Sequence, residues 1–162
     1  MNRRSEQLLF FAALHAHNVE YVVVGGVAVN AHGFVRNTRD LDIFFRPTLE
    51  NARALFAALK DFGVPLEGTD HTELLADGEQ LSMETHHGRF ELLHVIGEMS
   101  FEQAWRNRVD STIDGVTVHF ISKQDLIENK LQVGRLIDLA DVEELNRLED
   151  KTELGLAEGA DS

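Results

Sequence analysis

Cysteine is absent from this chain of 162 residues, and proline occurs only twice. The first absence excludes disulfides, thiolate catalysis and cysteine-bound metal, and agrees with a cytoplasmic protein. No apolar run approaches the roughly 20 residues that a membrane-spanning helix needs. The N-terminal MNRRSEQ carries positive charge, but the LLFFAALHAH behind it is broken by histidines and leads to no cleavage site, so no signal peptide is expected. Basic residues are scarce as well: 15 Lys and Arg stand against 28 Asp and Glu, a net charge of -13. That balance argues against wrapping a long phosphate backbone, which depends on cations displacing counterions. More than half of the excess lies from Asp138 onward, where nine acids face only Arg147 and Lys151, so the region before it is free to present a local basic face. No Walker loop or dinucleotide fingerprint occurs, and the eight histidines lack the H-E-x-x-H spacing of a zinc site. Surface or loop positions explain them, except that His32, closing a helix after a Gly-Gly turn, is expected near the bound ligand.

What is present reads as one domain over 1–150 followed by a polar, frayed tail over 151–162. Leu8, Phe11 and Ala12 at helical spacing predict a helix over 5–17. The β-branched and aromatic Tyr21–Val24 reads as a buried strand, and Val27–His32 as a short helix. Asp40–Phe45 is a second strand, and LENARALFAALKDF a helix that Gly63 ends. Residues 80–85 and 89–96 read as strands separated by a turn at Gly88. Ser100 and Gln103 resemble a capping box for a helix through Arg106. Asp114-Gly115 marks a hairpin, Ser122 caps a helix over KQDLIENKLQVG, and 136–148 forms another. Trp105 and the phenylalanines fall at core spacing. The alternation of strands and helices predicts an α/β (α+β) fold with a small mixed sheet flanked by helices.

The chemistry concentrates in YVVVGGVAVNAHGFVRNTRDLDIFF. Strand alternation points Asp40 and Asp42 the same way, roughly 7 Å apart by strand rise. Two carboxylates so placed suit Mg²⁺, which takes a few carboxylates together with water and phosphate oxygens. A glycine pair after a strand lets backbone approach a phosphate closely, and the amides that open the following helix favour anions.

Gly-Gly followed after 13 residues by Asp-Leu-Asp resembles the signature of the polymerase β-like nucleotidyltransferases. Arg36, Thr38, Asp40 and Asp42 match the R-x-T-x-D-x-D form of minimal bacterial members, including toxins of type IV toxin-antitoxin pairs. Lys130, Arg135, Asp138 and Asp141 in DLIENKLQVGRLIDLADVEEL match the distal motif, so the resemblance spans about residues 20–148. It implies a nucleotidyltransferase fold, and transfer of a nucleoside monophosphate from an NTP to a hydroxyl of RNA, protein or a small molecule, with release of pyrophosphate. It also implies that Asp40, Asp42 and Glu91 hold Mg²⁺ or Mn²⁺, Glu91 standing where the family more often has aspartate. Gly25 and Gly26 amides would hold the outer phosphates, beside Arg36, Thr38 and Arg39. Lys130 is either a catalytic cation that offsets the remaining charge, a solvated helix residue or a partner of Asp138. The alternative is a nucleotide-binding module with weak or no catalysis, acting through a protein partner such as an antitoxin.

Overall fold

The computed structural model describes residues 1–77 and 80–157. Six helices and six strands follow in chain order: α1 (Arg3–Ala16), β1 (Tyr21–Val24), α2 (Gly25–Ala31), β2 (Asp40–Phe45), α3 (Leu49–Phe62), β3 (Leu81–Glu84), β4 (Arg89–Leu93), α4 (Phe101–Arg106), β5 (Val109–Ile113), β6 (Val116–Phe120), α5 (Lys123–Val133) and α6 (Leu136–Arg147). A 3₁₀ turn at His71–Leu75 lies between α3 and β3. No described helix is long and apolar enough to cross a membrane.

The helices begin where a side chain meets an otherwise orphaned amide. Asn2, Thr48, Ser100 and Ser122 accept hydrogen bonds from the backbone N–H three residues on, each such cap contributing about 1 kcal/mol. At Ser100 the reciprocal half of the expected capping box is missing. The Gln103 amide instead donates to Asp125 and Glu128, both at 2.9 Å, and so ties α4 to α5.

The strands form one mixed sheet in the order β3-β4-β2-β1-β6-β5. β1 is antiparallel to β2, while β2 pairs in parallel with β4 and β1 with β6. The β5–β6 hairpin turns at Asp114 and Gly115, whose φ values of 49° and 82° suit the Asp-Gly turn favoured by strand twist. Residues 94–96 leave the predicted strand; Ile96 makes only an isolated bridge to Met99.

Phe10 meets Phe90 at 4.8 Å and Phe62 at 5.1 Å between ring centroids, so one aromatic cluster clamps α1, β4 and α3 together. Phe10 and Phe90 are buried, and each such side chain stabilises the fold by roughly 1.5–3 kcal/mol. Phe44 of β2 packs edge-on to Phe101 of α4 at 5.2 Å, which holds the rear half of β2 rigidly while its front half carries the acids. The tail is seated on the domain as far as residue 157, contrary to the expected fraying: Leu154 and Leu156 are buried, and Ser111 Oγ donates to the Leu154 carbonyl at 2.6 Å. Two leucines in an otherwise polar stretch supply enough apolar area to order it. The rest of the tail lies outside the described residues.

Candidate active site

β1 runs directly into α2 at Gly25, with no loop between them. Antiparallel pairing sets Val24 opposite Asp42, and parallel pairing sets Asp42 opposite Glu91 and Asp40 opposite Arg89. Directly opposed residues share a face of the sheet, so three strands bring the Gly-Gly turn, Asp40, Asp42 and Glu91 to one place. The glycines have a visible reason. A Cβ at Gly25 would overlap Asp42 Oδ2, and one at Gly26 would lie 2.7 Å from Thr38 Oγ1. Gly26 is buried, and its close approach to Thr38 makes an interior contact between α2 and the loop that leads into β2.

Asp40 is exposed and Asp42 half-buried. Neither carboxylate accepts a hydrogen bond or joins an ion pair among the described residues. Burial, followed by the charges of Asp40 and Glu91, pushes Asp42 from the ordinary 3.8 to about 6, against the pull of Lys130 and Arg135. Crowded acids without donors have the chemistry of a divalent-cation site: the carboxylates repel one another until a cation relieves them. Asp40 and Asp42 therefore fit Mg²⁺ or Mn²⁺.

Glu91 fits less directly. It is only 7% exposed, and its carboxylate is taken up by Ser82 Oγ at 2.6 Å and by the Gln80 amide, with Arg89 Nη1 at 3.6 Å. No three His, Asp or Glu side chains among the described residues are grouped so as to hold a metal. Register makes Glu91 a neighbour of the aspartates, while β3 holds its oxygens.

The distal motif forms a buried network. Lys130, 5% exposed, reaches Asp138 at 3.2 Å and Asp141 at 2.9 Å. Arg36 closes on Asp141 through Nε and Nη2, both at 2.9 Å, and Arg135 on Asp138 at 2.7 and 3.2 Å. Burial alone would raise both aspartates. Hydrogen bonds from Arg135 and Lys130 to Asp138, and from Arg36 and Lys130 to Asp141, hold them below the usual range instead. Lys130 is thus a partner of both aspartates, and its charge also reaches Asp42. Arg36 anchors the loop that leads into β2, leaving Arg39 as an exposed guanidinium without an acid partner among the described residues.

His32 departs from its expected place. It is buried, donates Nε2 to the Ile121 carbonyl at 2.8 Å, and lines a cavity that contains none of the three acids. Burial pushes its pKa below the ordinary 6.5. Sequence reasoning also passed over Ser82 and Gln80, whose types and spacing carry no signal until β3 is known to pair with β4.

Solved structures share this architecture at low identity. A lincosamide antibiotic adenylyltransferase with lincomycin bound superposes with a TM-score of 0.62 at 16% identity, over 92% of this chain and 100% of its own. The antibiotic-resistance factor ANT(2'')-Ia superposes at 0.57 and 16%, over 91% of this chain and 85% of its own. A candidate nucleotidyltransferase from Thermotoga maritima gives 0.57 and 16%, over 91% and 97%. No curated protein sequence matches the chain. A family model covers residues 7–157. With the Gly-Gly turn, the paired aspartates and the distal motif all inside that span, the chain belongs to the DUF6036 family, nucleotidyltransferases of unknown function.

Proposed function

We propose that the protein transfers a nucleoside monophosphate from a nucleoside triphosphate to a hydroxyl acceptor, releasing pyrophosphate, with Mg²⁺ or Mn²⁺ at Asp40 and Asp42. The observation that carries this reading is the pair of unbonded carboxylates on β2, crowded enough to raise Asp42 to about 6. A divalent cation bound there neutralises phosphate charge and favours the deprotonated acceptor hydroxyl.

The chain's own groups do the rest. Asp40 and Asp42 would hold the cation to which the triphosphate binds, and the Gly25 and Gly26 backbone would let its outer phosphates come close. Arg39 faces solvent with its charge unspent and meets the phosphates from outside, while Arg36 and Lys130 keep the loop and Asp42 in place. Glu91 would join the ligand set only by exchanging its bonds to Ser82 and Gln80. A net charge of -13 favours a small molecule or a protein hydroxyl over RNA as acceptor, and the lincosamide adenylyltransferase among the solved relatives of the fold is named for a small-molecule substrate.

The test is incubation with Mg²⁺ and each labelled NTP, with bulk tRNA, with hydroxyl-bearing small molecules and with neither. Label transfer and pyrophosphate release that disappear in Asp42→Asn are expected. Their absence from the wild type with every acceptor would overturn the catalytic reading. The hold of β3 on Glu91 favours a second reading, a nucleotide-binding module that works through a partner such as an antitoxin. It predicts NTP binding without pyrophosphate release.

A further inference from the structure

We propose that the corner where α5 meets α6 is a docking surface for another protein, one that offers an amphipathic helix whose apolar face is flanked by Lys and Arg. Residues 131–137 are all exposed. Leu136 is 87% exposed, and Leu131, Val133, Ile137 and Leu139 are each 44–53% exposed. Scattered apolar side chains are ordinary on a surface. Five of them gathered at one corner, where only Gly134 and Arg135 separate the two helices, form a patch of the kind that marks an interaction site.

The helices are inside out at this corner. The first buried residues of α6 are Asp138 and Asp141, and the last buried residue of α5 is Lys130, while the leucines around them face water. Ion pairing accounts for the inward charges, since Lys130 bonds to both aspartates. It does not account for the outward leucines. Lys, Glu or Gln would build the same helical turns with little loss of propensity and would leave a soluble surface.

Charge selects the occupant. Glu128 stands one turn before Leu131 on α5 and Glu143 one turn after Leu139 on α6, and both are exposed. Glu98 is exposed too, and its N–H donates to Gln132 Oε1 at 3.3 Å, which sets it beside the end of α5. The cation within the patch, Arg135, is spent on Asp138 at 2.7 and 3.2 Å. An apolar centre with acids at its border attracts a basic partner and repels a second copy, because each chain carries -13 and would set acids against acids. A helix with apolar anchors three and four residues apart suits a corner built from two helices. Arg135 also brings the surface to the border of the candidate site, for its charge reaches Asp42.

Fluorescence anisotropy of a labelled helical peptide, with leucines on one face and lysines on its flanks, tests the surface. Two control peptides replace the lysines by glutamates or the leucines by glutamines. The full chain is expected to bind the Leu-Lys peptide about tenfold or more tighter than either control. Leu136→Ser with Ile137→Ser should lose about that factor while melting like wild type, since both side chains are at least half exposed. Glu98→Gln with Glu143→Gln should weaken the binding and flatten its dependence on salt. No binding of the Leu-Lys peptide overturns the proposal. Equal binding of the glutamine control reduces the interaction to bulk charge and overturns it as well, as does undiminished affinity in the double serine variant. Sedimentation equilibrium of the wild type is expected to show a monomer; a dimer that the double serine variant dissociates would make a second copy the occupant and sink the basic partner. None of these readouts involves nucleotide transfer, so the docking surface and the catalytic reading stand or fall separately.

Discussion

Asp42 stands over Gly25 so closely that the carboxylate occupies the space where any side chain at position 25 would begin. Gly25 also has φ of 65°, a conformation that side-chain-bearing residues adopt at a cost of about 1–2 kcal/mol. Gly25→Ala is therefore expected to lower stability by roughly 1–3 kcal/mol and to displace Asp42. Chemical denaturation and metal titration together check this: a variant that loses stability but keeps its metal response would detach the glycine from the site.

Gly26→Val is expected to unsettle the fold as well as the ligand, because Thr38 and the buried helix surround the added carbons. Loss of about 1–3 kcal/mol is the scale for overpacking a filled interior. Thr38→Ala together with Gly26→Ala should recover part of what Gly26→Ala alone loses, by removing the hydroxyl 2.7 Å from the added carbon, as measured by urea midpoint.

In EDTA, Asp42 makes the protein less stable as pH rises. Its folded pKa of about 6 lies above the ordinary 3.8, so the folded state binds the proton more tightly and the penalty is absent below about 4. It grows between pH 4 and 6 and levels off above, reaching on the order of 2–3 kcal/mol. Asp42→Asn should abolish this slope and melt no lower than wild type at pH 7. Mg²⁺ or Mn²⁺ should raise the wild-type melting temperature by mass action and leave the variant nearly unmoved. A variant that melts well below wild type in EDTA would mark Asp42 as an architectural residue.

Lys130→Met is expected to cost about 3–5 kcal/mol, since it strands Asp138 and Asp141 without their shared cation. The two aspartates titrate below the ordinary value, so what they contribute is present above about pH 4 and lost as pH falls through their folded pKa values. The stability difference between wild type and variant should shrink on acidification, as read by denaturation at pH 3 and pH 7. A constant difference would place the loss in packing.

Ser82→Ala removes a hydrogen bond of 2.6 Å from Glu91. If Glu91 joins the ligand set, its outer partner matters about 10–100-fold in metal affinity or activity, and Ser82→Thr, which keeps the hydroxyl, should rescue it. Equal metal affinity in all three proteins would show that β3 holds Glu91 for structure alone.

The local elements were readable because each rests on a local cause: caps at Thr48 and Ser122, an Asp-Gly hairpin, and strand alternation in DLDIFF that put both aspartates on one face. The Gly-Gly and Asp-Leu-Asp spacing pointed to a candidate site, whose members the strand register brings together. What escaped depends on partners far away in sequence. The burial of Gly26 follows from Thr38, the capture of Glu91 from Ser82 across a strand pair, and the inward turn of His32 from a carbonyl 89 residues away. The order of the tail comes from two leucines whose apolar neighbours belong to another part of the chain.

The Arg36–Asp141 ion pair joins residues 105 positions apart, and that separation bears on how the molecule comes into being. During synthesis, β1, α2 and β2 leave the ribosome long before α6, so the loop carrying Thr38 emerges without the aspartate that will anchor it. A nascent chain can shape the Gly-Gly turn early and still lack a settled approach to its acids. The anchoring of that loop thus comes late in translation, once nearly the whole domain has been made.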